Sequence, residues 1–433
     1  MKEYDVIVIG AGICGLAAAL KLVAAGKKVL VLERDNDIGG LISCYDLKTF
    51  KIEKYYHHFF KQDTHLLKMI KDLGLNKQIY WKRGSTGYYV DGQEYDLNTP
   101  LQFLTYKYLS FSGKVKLIKS LLNLKFKNDL AYLDEIKASD WIHENCTEDV
   151  YVNFFKPLLD AKFGRFSDEI SAAWLLMRVK KRSSRGFNGE RLGYFENGFS
   201  ILLKKLEEVI YKSGGEILTG SAVDKIFVDS GKVQALQADS RVFETDTVIS
   251  TISVRQLRNL SAFPGELDQK MAVFKEQAVN CALFAVNRPL LKNYWVNIKN
   301  SKPGFNVLVE HTNFLSPAFY NNMHLLYLVS YDNTQERQDF AAKDSEGLIR
   351  GYKNALSENF GLQENDIIWS KLARSFEAGP VYNTGFRNNR LPYFSGLRNL
   401  YISGMAQSYP DRGVDDSILQ GQICADLAIK ATG

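Results

Sequence analysis

The chain has 433 residues, 45% hydrophobic and 24% charged, a composition of ordinary globular proteins that excludes disordered and fibrous classes. A net charge of +6, from 55 basic and 49 acidic residues, is too mild to imply nucleic-acid binding without a concentrated patch, and leaves anionic small molecules or lipid as partners. Five widely spaced cysteines, Cys14, Cys44, Cys146, Cys281 and Cys424, contain no CxxC, so neither a disulfide framework nor a zinc site is indicated and a reducing, cytoplasmic compartment fits best.

Tyr4 to Ile9 is a short β-branched apolar run, Ile13 to Ala25 has the Leu/Ala spacing of a helix, and Lys28 to Leu32 is a second buried-strand pattern. Together they predict β-α-β with parallel strands. The apolar stretch Val6 to Ala25 lacks the basic start and small-residue cleavage site of a signal peptide, and Lys21 interrupts it, so neither a leader nor a membrane span is expected. Gly87 to Leu97 predicts a hairpin turning at Asp91-Gly92. Leu101 to Arg191 reads as mainly helical. Strands return at Gly215–Leu218, Asp224–Val228, Lys232–Gln237 and Thr247–Ile252, then at Ala278–Val286, Phe305–His311 and His324–Ser330. A helix over Ser345–Phe360, a strand over Asn399–Ser403 and a helix from about Val414 to Ala431 complete the chain.

Gly10-Ala11-Gly12-Ile13-Cys14-Gly15 falls between the first strand and the first helix, and Glu33 ends the second strand. The three glycines act separately. Gly10 permits the tight turn, Gly12 admits a pyrophosphate to the backbone, and Gly15 lets helix and strands pack closely. The helix N-terminus then offers free N–H groups and partial positive charge to the phosphates. Glu33 accepts from ribose hydroxyls and repels a 2′-phosphate, so FAD or NAD fits and NADP does not. A glycine-rich turn alone is weak evidence; strand, helix, second strand and acid at these distances make a dinucleotide site the stronger reading.

Glu33-Arg34-Asp35-Asn36-Asp37-Ile38-Gly39-Gly40-Leu41 resembles the extended fingerprint of FAD proteins. Asn399 to Met405 and Gly413-Val414-Asp415-Asp416-Ser417-Ile418-Leu419-Gln420-Gly421 resemble the second flavin segment of the amine oxidase, protoporphyrinogen oxidase and phytoene desaturase superfamily. The resemblance implies non-covalent FAD and places Gly404 and Met405 at its pyrophosphate, Val414, Asp415, Ser417 and Ile418 near its ring, and Val223 at its adenine. Two departures stand out. Met405 replaces an acid common in relatives, and Tyr55-Tyr56 replace a frequent Gly pair beside the isoalloxazine, which narrows that face. Ser408-Tyr409-Pro410-Asp411 occupies the region of the cysteine that binds flavin covalently in some amine oxidases.

Tyr55-Tyr56-His57-His58-Phe59-Phe60 resembles the flavin-side segment of UDP-galactopyranose mutases. Placed there, His57 and His58 are the candidate catalytic residues, able to bond flavin N5 or move a proton near neutral pH, with Tyr56 beside substrate; the structural alternative is a packed aromatic strand. Glu310-His311-Thr312-Asn313 ends an apolar run from which His311 and Asn313 can line a substrate cavity, although a satisfied His and a turn Asn are the commoner situation. Arg178, Lys180, Lys181, Arg182, Arg185 and Arg191 form a flexible basic stretch suited to phosphate or carboxylate, with Arg182 the substrate candidate, or else a solvated loop. Lys107, Lys114, Lys116, Lys119, Lys125 and Lys127 alternate with apolar residues and no acid occurs from Leu101 to Asn128, so this segment can lie on anionic lipid; a stripe buried in a helical subdomain is the competing expectation.

The predicted architecture is α/β with an α+β substrate region. A Rossmann-type FAD-binding domain takes residues 1–85, 201–262 and 376–433, and a discontinuous second domain of mixed sheet and helices takes 86–200 and 263–375. The resemblance implies an FAD-dependent oxidoreductase moving hydride from a small organic substrate to flavin N5. A flavin-dependent UDP-sugar mutase without net redox, and a flavoprotein with a purely binding role, are the alternatives.

Overall fold

The computed structural model describes residues 3–125, 131–183, 190–299, 304–332 and 337–432. Its organising unit is the predicted β-α-β: β1 (Tyr4–Ile9), α1 (Ile13–Ala24) and β2 (Val29–Leu32). β2 is wholly buried and β1 nearly so, which is why they read as continuous apolar runs and pair in parallel. The sheet continues through Glu216–Leu218 beyond β2 and through Arg241–Ser250 beyond β1, with Lys232–Ala238 and Val223–Asp229 added as antiparallel strands. Arg241–Ser250 divides its pairing: its first residues bond with Lys232–Ala238, and from Thr245 it runs parallel to β1. Its last residues also pair in parallel with Leu400–Ile402, so beginning, middle and end of the chain share one sheet. α1, the helix Ser200–Lys212 and the final helix Val414–Thr432 cover one face around a core that includes Leu16, Leu22, Leu206, Ile418 and Ala425.

A second seven-stranded sheet runs in the order Ile367–Pro380, Glu276–Val286, His324–Asp332, Val307–Glu310, Trp295–Ile298, Thr86–Val90, Gln93–Asp96. Neighbours are antiparallel except Trp295–Ile298 against Thr86–Val90. Its two faces bury different material. Ser345–Phe360 packs on one through Tyr352, Ala355 and Leu356, while the other carries an aromatic layer of Tyr194, Tyr294, Tyr320 and Tyr327 against which Tyr55 and Tyr56 lie. The helical block that begins at Pro100 closes around Trp141, Phe155, Phe163 and Trp174.

The Asp91-Gly92 hairpin, the helix over Ser345–Phe360 and the final helix agree with expectation. Three features differ. Glu190–Phe195, assigned in part to the helical region, is a strand between Phe59–Phe60 and Ile79–Gly84 in a small sheet. Ile367–Pro380, a long edge strand, had no expectation attached to it. Of the expected basic stretch, Arg178, Lys180, Lys181 and Arg182 lie in the last turns of the helix Ala172–Ser183 and Arg191 in a strand, while Arg185 lies outside the described residues. Among the described residues no helix is long and apolar enough to cross a membrane.

Candidate functional site

The glycines of the first turn close around one space. Gly10 has φ +101°, and the Oγ1 of Thr251 donates to the carbonyls of Ile9 and Gly10 at 2.9 and 3.1 Å, holding that conformation from the neighbouring strand. A Cβ on Gly15 would overlap the Gly10 carbonyl oxygen, so only glycine lets α1 start this close to β1. Gly12, the N-cap of α1, behaves differently: a Cβ there meets nothing within 4 Å, so its backbone borders open space. Gly39 donates its N–H to Ala11 O at 2.8 Å, and Gly40 stands against the Gly12 Cα. Gly404, with φ +133°, sits beside the Thr251 carbonyl and brings the last strand to the same opening. The first turn of α1 contains no acid, so the partial positive charge of its free N–H groups is left for an anion.

Glu33 is only 8% exposed, and its Oε2 accepts from Ala11 N–H at 2.7 Å and its Oε1 from Asp35 N–H at 3.0 Å. A carboxylate has about four acceptor directions, so roughly two remain for sugar hydroxyls. The Glu33 carbonyl accepts from Ser221 N–H at 2.7 Å, which draws the start of Val223–Asp229, with half-buried Val223, to the end of β2. Arg34 is exposed there and pairs with Asp35 at 3.5 Å, while Leu41 is half-buried in the turn after the glycine pair.

The residues carried over from the C-terminal resemblance separate by role. Met405 lies in the turn after Gly404, where its carbonyl accepts from Ser408 N–H. Val414 packs at the edge of the core and Ser417 donates its N–H to Gly413 O in the opening turn of the final helix. Ile418 has its side chain fully in the core, and Asp415 accepts from Leu66 N–H at 2.8 Å near the start of the helix Thr64–Asp72. Ile418 thus offers a cofactor only its backbone, while half-buried Asp415 keeps its second carboxylate oxygen. Cys14 is likewise buried, 3.2 Å from the Ser403 hydroxyl, and burial pushes its thiol up to about 12.

The Tyr55–Phe60 segment bridges the two sheets. His57 Nδ1 lies 2.8 Å from the Tyr55 carbonyl, so it carries the hydrogen and Nε2 is the acceptor. Burial lowers its pKa to about 4, with the Arg412 charge adding to the effect, and the ring meets Phe199 on the side of the first domain. His58 turns the other way, its Nδ1 2.9 Å from the Tyr294 hydroxyl and its ring against Phe60, Tyr294 and Trp295. The two histidines therefore do not form one pair. Tyr56 packs edge-on to Trp295 and Tyr327, and its pKa is raised by burial and then by Tyr331.

His311 and Asn313 are not cavity-lining residues. His311 is buried among Tyr194, Phe314, Tyr320 and Tyr327, bonded to the Tyr320 hydroxyl at 2.7 Å, with its pKa lowered to about 3 by burial. Asn313 donates to the carbonyls of Leu291 and Asn293 and so closes a turn. The side chain of Arg182 lies outside the described residues.

Sequence reasoning named Arg178 and Asp411 separately but missed the polar cluster they form between the domains. Arg178 pairs with both Asp411 oxygens at 3.1 and 3.2 Å, and Trp174 Nε1 donates to the same carboxylate at 3.2 Å. Burial pushes the Asp411 carboxyl up, but Arg178, Lys162 and Arg412 outweigh it and hold the group below its ordinary range. Lys162 reaches the Tyr331 hydroxyl at 3.4 Å, and the Arg412 guanidinium lies flat on Gly379, where a Cβ would overlap it. Glu53 was also missed: it is 1% exposed, accepts from the Tyr194 hydroxyl and Phe199 N–H, and is raised to about 7 by burial. No local signal marks either feature, because each assembles from segments more than a hundred residues apart.

The open N-terminus of α1, Gly12, Gly40, Gly404 and the Glu33 carboxylate are the groups that would hold the diphosphate and ribose of a flavin nucleotide. Known proteins resemble this chain over much of its length. The family model for flavin containing amine oxidoreductases matches residues 13–429. A 15-cis-phytoene desaturase from Arabidopsis thaliana is 24% identical over 380 residues, covering 80% of this chain and 63% of that protein. An inactive all-trans-retinol 13,14-reductase from Danio rerio is 31% identical over 165 residues, covering 38% and 26%. The match thus spans between about a quarter and two thirds of these relatives' lengths. Among solved structures, cyclohexylamine oxidase from Brevibacterium oxydans IH-35A superposes with a TM-score of 0.73 at 18% identity, covering 99% of each chain. A reduced UDP-galactopyranose mutase superposes with a TM-score of 0.75 at 16% identity, covering 99% and 96%. At these identities the likeness is one of fold.

Proposed function

The chain belongs to the flavin-containing amine oxidoreductase family, and from that membership we propose that it is an oxidoreductase that holds FAD without a covalent bond and acts on a small organic substrate. Bound there, the flavin would supply a two-electron acceptor for oxidation of the substrate. The observation that carries the proposal is the convergence of Gly12, Gly40 and Gly404 on the open N-terminus of α1, with Glu33 at the ribose end. Non-covalent binding is supported by Ser408–Asp411, which contains no cysteine.

The substrate would lie between the domains, against Tyr56 and the Arg178–Asp411 pair. Neutral, half-buried His57 presents Nε2 as a proton acceptor, and the aromatic layer on which Tyr55 and Tyr56 pack would exclude water from the substrate. A sugar-nucleotide mutase is the second reading, favoured by the cationic set Arg178, Lys162 and Arg412 around the one carboxylate of Asp411, which suits a diphosphate.

Anaerobic mixing of the yellow protein with amines, porphyrinogens, polyenes and UDP-sugars tests the proposal. Substrate-dependent bleaching by any of the first three supports the oxidoreductase. Conversion of a UDP-sugar isomer only after dithionite reduction would replace it with the mutase, and no response from the flavin to any of these classes would point to a binding role.

A further inference from the structure

The helix Phe111–Lys125 is apolar on two sides, and only one of them is used. Gly113, Leu117 and Leu124 are buried against the helical block, which settles one face. Phe111, Val115, Ile118 and Leu122, at i, i+4, i+7 and i+11, form a second stripe within about 40° of a common direction. That stripe faces outward: Phe111 is 79% exposed, Leu122 52%, and Val115 and Ile118 are exposed as well. The preceding short helix, Pro100–Thr105, adds Leu101 at 70% and Leu104, and its end is tied to the stripe by the Lys114 ammonium, which donates to the Leu104 carbonyl at 2.6 Å. Six large apolar side chains on adjoining helices exceed what scattered surface hydrophobes account for.

The charges around the stripe select what covers it. Lys107 and Lys119 are exposed beside it, Lys116 is exposed between it and the buried face, and no Asp or Glu occurs from Leu101 to Asn128. The nearest acid on an element packed against this helix, Asp149, accepts the Ser110 N–H just before the helix begins and is committed there. We propose that this face is a membrane-docking surface that lies in the interface of an anionic bilayer, its stripe among the acyl chains and its lysines at the headgroups. An apolar stripe rimmed by lysines on a surface helix is the pattern of interfacial binding, in which apolar burial and attraction to anionic lipid add.

The test uses the full-length flavin-loaded protein and sedimentation with vesicles. With vesicles of equal parts phosphatidylcholine and phosphatidylglycerol at low salt, the wild-type protein pellets; with phosphatidylcholine alone, or at high salt, it stays largely in solution. Phe111→Ser with Leu122→Ser abolishes pelleting, and Lys116→Glu with Lys119→Glu weakens it by roughly tenfold or more, while both variants keep their flavin absorbance and melting temperature. Wild-type protein that remains in solution with the anionic vesicles would overturn the proposal, as would apolar variants that pellet like wild type. A concentration-dependent dimer in ultracentrifugation that Phe111→Ser dissolves, without vesicle binding, would assign the stripe to a second copy of the chain instead.

Discussion

A side-chain carbon on Gly421 would overlap the carbonyl oxygen of Cys14, so the final helix crosses α1 at backbone contact. This crossing fixes two helices from opposite ends of the chain against each other. Gly421→Ala must push the helices apart, and overpacking of this kind costs about 1–3 kcal/mol. The expected result is a lower melting temperature together with weaker flavin retention in gel filtration; an unchanged protein on both measures would show that the crossing is slack.

Glu33 serves the fold and the cofactor at once, since its two oxygens accept from Ala11 and Asp35 before any ribose arrives. Glu33→Gln puts an amide nitrogen against one of those N–H groups, which destabilises the apoprotein by about 1–3 kcal/mol. It also removes a charged acceptor from the sugar, so FAD binding measured by fluorescence quenching weakens about 10- to 100-fold. Equal affinity for wild type and variant would place the ribose elsewhere.

His57 and His58 adjoin in sequence but face different domains, so their variants should part company. His57→Ala keeps its flavin and slows substrate reduction of it about 100-fold or more, the usual share of a general acid or base. His58→Ala leaves the Tyr294 hydroxyl without its ring partner and lowers stability by about 1–3 kcal/mol, with a smaller effect on reduction. Stopped-flow reduction and thermal melts of both variants decide this; equal loss of rate in the two would contradict the division of labour.

Glu53 makes stability depend on pH. Burial raises its pKa from 4.5 to about 7, so the folded state holds the proton more tightly than the unfolded chain does. The contribution is complete below pH 4.5 and is lost as pH rises through 7, about 3 kcal/mol in all at ~1.4 kcal/mol per unit. Glu276 and Glu310, also raised to about 7, act in the same sense, and the lowered pKa values of His57 and His311 act in the opposite one. The informative quantity is therefore the difference between wild type and Glu53→Gln. In denaturant melts the variant's relative stability should grow between pH 5 and pH 8, whereas a difference independent of pH would show that Glu53 titrates normally in the fold.

Much of the first domain was legible because its signals are local. Gly10, Gly12 and Gly15 act through their own backbone positions, Glu33 follows at the end of the next strand, and β1 and β2 are apolar but for Asp5 because both faces are covered. The small sheet of Phe59–Phe60, Ile79–Gly84 and Glu190–Phe195 was not legible, since its strands are distant in sequence and no periodicity announces a partner. Nor was the edge strand Ile367–Pro380, whose half-exposed residues such as Lys371 and Arg374 dilute the alternation. At the site, residue type identified His311 and Asn313 as polar groups near a strand end, but whether such groups face a cavity or the core depends on Tyr194 and Tyr320, which arrive from elsewhere.

The decisive measurement is the absorbance spectrum of the purified protein before and after acid precipitation. A cofactor seated on the α1 N-terminus without a covalent bond gives a yellow protein whose flavin passes entirely into the supernatant as FAD, and a colourless one when Gly12→Asp places a negative side chain in the diphosphate space. Wild-type protein that is colourless, and stays so after incubation with excess FAD, would contradict that seating.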